Sequence, residues 1–331
     1  MKTYYSIQSV KPKHQGFFYD EKTPQEISIA LFGECNLRCN FCVDNLRFDT
    51  KCHPEYFQYT IKAFEKAIAY TKKSNIIIRV FGGELLQDKF SDAVYLEYKK
   101  FFLSLANICN AYNKQFKTFI ATNLVHKKAS RVLDLLKECS IQLSASFDLH
   151  GRFNKQSQID LFLENCELYS REKLLSGIGF LASRDNINAL MKSGENVNVF
   201  EVLYNKYRIN FDYFSPNSYD TKQITEEELS TFCEFLLAKY PKIENIQNLV
   251  CAYKTKHASK YPCPGILIAH NTLIYQCCDF SYAEKQYIKN KNCFSCKHFA
   301  YCSHPCIRLM SGHSGCHVKY IFDKLESKGY E

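Results

Sequence analysis

Between residues 26 and 240 the sequence repeats one pattern about six times: a short apolar run, a polar residue or two where it ends, then a longer stretch with helical spacing. The apolar runs are 26–32 (EISIALF), 75–81 (NIIIRVF), 117–121, 141–147, 178–182 and 208–214. The helical stretches are 54–73, 90–113, 128–139, 160–175, 186–192 and 225–240. Strict alternation of this kind predicts a parallel sheet with helices outside it, an α/β fold. Six units in about 215 residues fit a partial, TIM-like (β/α)6 barrel better than a closed eight-fold one. In such a barrel the residues that end each strand gather on one face, so Glu84, Thr122, Asn123, Ser146, Asp148 and Arg184 are expected to point at a common centre.

What lies at that centre is predicted by the loop after the first strand. Cys35-Asn36-Leu37-Arg38-Cys39-Asn40-Phe41-Cys42 places three thiols at C-x3-C-x2-C spacing. Three thiolates hold three corners of a metal centre and leave the fourth open for chemistry. The bland alternative is a zinc site or three incidental thiols. Structural zinc sites take four protein ligands, commonly in paired C-x2-C knuckles, and no fourth partner is evident nearby in the sequence.

With aromatic Phe41 before the last cysteine, and Gly82-Gly83-Glu84 after the second strand, the chain resembles the radical S-adenosylmethionine (radical SAM) superfamily from about residue 25 to 320. The resemblance implies that Cys35, Cys39 and Cys42 bind a [4Fe-4S] cluster whose fourth iron chelates SAM. Reductive cleavage of SAM there yields methionine and a 5′-deoxyadenosyl radical that abstracts a hydrogen atom. It also implies that the Gly82-Gly83-Glu84 loop meets the SAM amino group, glycine permitting close backbone approach. Thr122-Asn123 resembles a family Thr-Asn-Gly strand end, although Leu124 stands where glycine is usual. Ser146 and Asp148 resemble a segment that contacts the SAM ribose or methionine, and Arg184 is a candidate partner of the SAM carboxylate. Asn123, Ser146, Asp148 and Arg184 are each equally readable as a polar residue ending a strand.

From Cys251 onward the composition changes. Nine cysteines fall between Cys251 and Cys316 while regular periodicity fades, which predicts a small irregular domain, 246–331, that depends on metal for its fold. Cys293-x2-Cys296-x5-Cys302-x3-Cys306, with Cys316 beyond, is readable alone as a zinc ribbon or knuckle. Following the barrel it resembles the SPASM extension of radical SAM enzymes. That resemblance implies two auxiliary [4Fe-4S] clusters, one on Cys251, Cys263, Cys277 and Cys306, the other on Cys293, Cys296, Cys302 and Cys316. Thr272 replaces a family glycine, and the Cys277-Cys278 doublet leaves either thiol eligible. Asp279, in YQCCDF, resembles the proton-accepting aspartate of anaerobic sulfatase-maturating enzymes, one residue out of register; a solvent-exposed turn aspartate is the plainer reading.

Composition narrows the remaining classes. The chain has 331 residues, 46% hydrophobic, enough for a full core. Residues 1–25 read as an irregular arm without the apolar core of a signal peptide, and no run is long enough to span a membrane. Cysteine-rich without an export signal, the chain is expected in the reducing cytoplasm, where clustered thiols point to metal before disulfide. The net charge of +9 lacks a compact basic block, and three thiolate-bound clusters would reduce it to about +4, so no nucleic-acid partner is expected. Cys52, Cys109, Cys139, Cys166 and Cys233 fall on apolar helical faces or in loops and read as buried hydrophobes.

Fully ligated auxiliary clusters suit electron transfer, so the resemblance favours a net two-electron oxidation fed by a flavodoxin- or ferredoxin-type reductant. The expected substrate is a peptide or protein side chain. Only 34 residues precede Cys35, too few for the leader-binding domain of many peptide-modifying members. The alternative substrate is a small-molecule alcohol such as a sugar or aminocyclitol. A zinc-ribbon binding module is the remaining alternative from outside enzymology.

Overall fold

The computed structural model describes residues 24–39, 41–42, 51–194, 196–213, 225–256, 265–268, 274–275, 296–298 and 317–329. Six parallel strands alternate with helices. They are β1 (Gln25–Ala30), β2 (Asn75–Phe81), β3 (Gln115–Thr122), β4 (Ile141–Phe147), β5 (Leu175–Ala182) and β6 (Ile209–Tyr213). The intervening helices are α1 (Phe57–Tyr70, after a 3-10 turn at Pro54–Tyr56), α2 (Asp92–Ala111), α3 (Ala129–Glu138), α4 (Gln156–Arg171), α5 (Arg184–Met191) and α6 (Val197–Lys206). Each strand pairs in parallel with the next, and the order runs β6-β5-β4-β3-β2-β1 without β6 returning to β1. The sheet is therefore the expected partial barrel, open at its β6 edge.

Alternation along the strands explains the two layers. In β2, Ile76, Ile78 and Val80 are buried, as are Ile141, Leu143, Ala145 and Phe147 in β4. They belong to one apolar core with Phe64 and Ile68 of α1, Phe101 and Leu105 of α2, and Val132 and Leu136 of α3. Each large aliphatic side chain buried there contributes about 1.5–3 kcal/mol. The intervening residues, among them Arg79, Gln142, Ser144 and Ser146, are only partly buried and line the opposite face of the sheet.

Beyond β6 the strict strand–helix alternation ends. After α7 (Glu226–Lys239), α8 (Glu244–Thr255) runs across residue 246, β7 (Ile266–Ile268) pairs in parallel with β1, and β8 (Ile274–Tyr275) pairs antiparallel with β7. The last helix, α9 (His317–Ser327), returns to the barrel: Lys324 pairs with Glu234 of α7, and Phe322 lies 5.7 Å from Tyr253 of α8 between ring centroids. The described tail elements thus extend the main sheet and its helical layer. Of the five cysteines assigned to apolar surroundings, Cys109, Cys166 and Cys233 are fully buried, whereas Cys52 and Cys139 are half-buried at the edge of the core. Among the described residues no helix is long and apolar enough to cross a membrane.

Candidate active site

The three cysteines of the first loop follow β1 directly. The chain leaves the strand through Leu31 and Phe32, both buried, and the Cys42 amide donates to the Cys39 carbonyl at 3.1 Å, closing the end of the loop. Cys35, Cys39 and Cys42 are all half-buried. The Cys35 sulfur accepts from the Leu37 amide at 3.4 Å and lies 3.8 Å from the side-chain amide of Asn123, at the end of β3.

The loop after β2 is fitted against this cysteine loop backbone to backbone. The Gly83 amide donates to the Phe32 carbonyl at 2.6 Å, and the Glu84 amide to the Glu34 carbonyl at 2.9 Å. A Cβ on Gly83 would stand 1.9 Å from the Glu34 oxygen, and one on Gly82, whose φ is +148°, would stand 2.3 Å from the Phe32 oxygen. The close approach that requires glycine is thus made to the cysteine loop itself. Gln87 extends the seam, its amide donating to the Glu34 carbonyl at 2.9 Å and to the Glu84 carbonyl at 2.7 Å.

Glu84 is 1% exposed and its carboxylate turns inward. It accepts from the Thr122 hydroxyl at 2.9 Å, the Leu86 amide at 3.0 Å and the Asn123 amide at 2.6 Å, tying the ends of β2 and β3 together. Burial pushes its carboxyl above the ordinary range, against the pull of these donors. Asn123 then reaches the cysteine loop, donating to the Asn36 side chain at 2.8 Å, while Asn36 donates to the Val125 carbonyl at 2.6 Å. Leu124, standing where a glycine was expected, holds φ at +56°, so the left-handed turn is kept with a buried leucine in it.

On the β4 side, Asp148 is buried and fully engaged. It accepts from the Arg152 guanidinium at 2.5 Å, the Leu181 amide at 2.9 Å and the Asn186 side chain at 3.2 Å. Arg152 also lies over the Phe41 ring, 5.2 Å from its centroid. Neither Arg152 nor Gln87 is marked by the sequence motif; the one available signal for Arg152 was its place four residues beyond Asp148. Ser146 is half-buried, opposite Gly179 in the parallel register. Arg184 opens α5 and gives both its Nε and Nη2 to one carboxylate oxygen of Glu228 on α7, at 3.1 and 2.9 Å. Thr225 and Glu228 form the capping box of α7, so Arg184 is joined to that helix start.

The donor set fits a thiolate-ligated cluster. Burial pushes the Cys35 thiol up to about 12 and the Cys39 thiol up to about 11, so neither ionises unaided at neutral pH. A bound metal centre takes thiolates and releases their protons. A negative charge on any one of the three thiols raises its neighbours further, so the set opposes ionisation together until a cation is bound. The N–H groups aimed at the Cys35 sulfur are outer-shell donors of the kind that fix ligating sulfurs.

Of the expected auxiliary ligands, Cys251 is exposed on α8 and Cys296 is half-buried. Beside Cys296, His298 is 2% exposed, and its Nε2 lies 2.8 Å from the Asp323 carboxylate of α9. Cys263, Cys277, Cys278, Asp279, Cys293, Cys302, Cys306 and Cys316 lie outside the described residues.

No protein-family model and no curated protein matches the chain. Solved structures do. Native anSMEcpe with bound AdoMet and Cp18Cys peptide aligns over 92% of this chain and 98% of its own, with a TM-score of 0.63 at 14% identity. Native anSMEcpe with bound AdoMet aligns over 92% and 95%, with a TM-score of 0.60 at 14% identity. Streptococcus suis SuiB bound to precursor peptide SuiA aligns over 86% of this chain and 72% of its own, with a TM-score of 0.52 at 17% identity. At these identities the likeness establishes the fold.

Proposed function

We propose that the chain is a radical SAM enzyme that oxidises a peptide or protein side chain by two electrons, with a [4Fe-4S] cluster on Cys35, Cys39 and Cys42 and SAM on its open iron. One observation carries this reading: the cysteine loop is locked against the Gly82-Gly83-Glu84 loop and the end of β3, with N–H donors aimed at the Cys35 sulfur. Bound there, cluster and SAM together supply a hydrogen-abstracting radical.

The chain's own residues hold that chemistry in place. Glu84 fixes the ends of β2 and β3, Asn123 passes that order to the loop, and Asp148 with Arg152 backs Phe41. Gly82, Gly83, Ser146 and Arg184 border the space proposed for SAM. The partly exposed sheet face bearing Arg79, Gln142, Ser144 and Ser146 offers substrate a polar wall beside the loop.

A peptide substrate is supported by the neighbours in which a peptide is bound, the Cp18Cys peptide in anSMEcpe and precursor peptide SuiA in SuiB. The segment from residue 246 is proposed to carry two auxiliary clusters, on Cys251, Cys263, Cys277, Cys293, Cys296, Cys302, Cys306 and Cys316. These would take the electron left after hydrogen and proton removal, with Asp279 as proton acceptor. A flavodoxin- or ferredoxin-type protein would supply the reducing electron, and the cytoplasm is the proposed compartment.

The test is incubation of the reduced enzyme with SAM and precursor peptides encoded beside its gene. A peptide lighter by two hydrogen atoms, formed together with 5′-deoxyadenosine, is the expected result. Turnover of a sugar or aminocyclitol alcohol, with every peptide unchanged, would overturn the peptide assignment in favour of alcohol dehydrogenation.

A further inference from the structure

Arg152 has no place in the cysteine motif, yet it is the cation built into the wall of that site. Its side chain is 14% exposed and that of its partner Asp148 is fully buried. Burying a charge pair costs more solvation than its attraction returns unless further hydrogen bonds hold it, so such a pair is an expensive way to pack a loop. Asp148 meets the condition: the Leu181 amide and the Asn186 side chain fix its second oxygen, and it in turn aims the guanidinium over Phe41. Phe41 sits between Cys39 and Cys42 in the chain, so the guanidinium covers the last half of the loop.

The charge is distributed unevenly around the three thiols. Arg152 pulls the Cys39 thiol down more strongly than Asp148 pushes it up, so the pair that lies over Phe41 acts on that sulfur as a net cation. Cys42 is coupled to Arg152 as well. Cys35, at the other end, has Glu84 as its strongest charged neighbour. One side of the site is therefore cationic and the other carboxylic.

A cation close to a redox centre stabilises the state with one more negative charge, and low local dielectric strengthens the effect. We propose that Arg152 is a positioning residue that seats the Cys39–Cys42 end of the loop and raises the reduction potential of the cluster on Cys35, Cys39 and Cys42, with Asp148 moderating it. This rests on the reading of the loop as a cluster site. The reaction concerned is a one-electron reduction, with dithionite as the electron source in the test.

The experiment is an anaerobic redox titration of the reconstituted full-length protein, without SAM, followed by electron paramagnetic resonance. The signal lost in the Cys35→Ala/Cys39→Ala/Cys42→Ala variant belongs to this loop. Arg152→Gln should make reduction about tenfold less favourable, about 59 mV lower for one electron. Arg152→Lys should retain most of the potential. Asp148→Asn, which leaves the cation without its counter-charge, should shift the potential upward, so the two neutralising variants move it in opposite directions. An unchanged potential in Arg152→Gln with full iron content would overturn the proposal. So would a loss of SAM affinity with the potential unchanged, which would make Arg152 a SAM ligand. Should Arg152→Gln fail to hold iron, Asp148→Asn decides: an upward shift supports the proposal and an unchanged or lower potential overturns it. Wild-type protein with no cluster signal from this loop would instead refute the functional reading on which the proposal stands.

Discussion

Gly83→Ala tests the joint between the two loops with a single methyl group. Its Cβ would lie 1.9 Å from the Glu34 carbonyl oxygen, 2.3 Å from the Glu34 carbonyl carbon and 2.7 Å from the Gly33 carbonyl carbon, all backbone atoms with no rotamer to escape through. Real Cβ contacts do not fall below 3.0 Å, so the loops must part by about 1 Å. That separation acts on two hydrogen bonds, Gly83 to Phe32 and Glu84 to Glu34. At about 1 kcal/mol each, with about 1–3 kcal/mol for overpacking, the cost is about 3–5 kcal/mol. A domain whose stability lies in the upper part of the usual range, about 5–15 kcal/mol, still folds after such a loss, but with its cysteine loop displaced. Thermal melting should show the destabilisation, and anaerobic reconstitution should show the loss of the iron held by this loop. Gly329→Ala, with nothing within 4 Å of its Cβ, should load iron normally. A Gly83→Ala protein that melts and binds iron like the wild type would refute the steric argument.

Two further outcomes are expected. Glu84→Gln replaces one acceptor oxygen of a buried carboxylate that meets three donors, and leaving one donor unmet should cost about 1–3 kcal/mol, visible in chemical denaturation; an unchanged midpoint would contradict the network. His126 is 1% exposed, with Nε2 2.6 Å from the Tyr169 hydroxyl, and burial holds its imidazole down at about 4. The unfolded chain takes up a proton near pH 6.5 and the folded chain does not, so this contribution is complete above pH 6.5 and is lost as pH falls toward 4. Between pH 7 and pH 5 the wild type should lose roughly 2 kcal/mol more than His126→Phe; equal losses in urea titrations would show that His126 is not responsible.

Regular, repeated features were legible in the sequence. β2 and β4 occupy the expected residues because apolar alternation marks one buried face of each, and the strand-helix repeat predicted the open barrel. Helix α6 escaped because its start carries no favourable local signal: Asn196 before it is left-handed at φ +63° and makes no side-chain cap. The placement of β7 beside β1 depends on a pairing between residues more than two hundred positions apart, which no local pattern encodes. Within the site, the cysteine spacing was readable, but the target of the glycines was not. Gly82 and Gly83 approach the Phe32 and Glu34 backbones, and only the folded chain brings those segments together. Similarly, the carboxylates of Glu84 and Asp148 and the guanidinium of Arg184 were identified as strand-end groups, while their protein partners became visible only in three dimensions.

The most direct test of the account is the reaction of anaerobically reconstituted protein with dithionite and SAM. The expected product is a brown protein that holds about twelve iron atoms and releases 5′-deoxyadenosine, with Cys35→Ala/Cys39→Ala/Cys42→Ala keeping about eight iron and releasing none. A colourless zinc protein that leaves SAM intact, or full SAM cleavage by the triple variant, would contradict it.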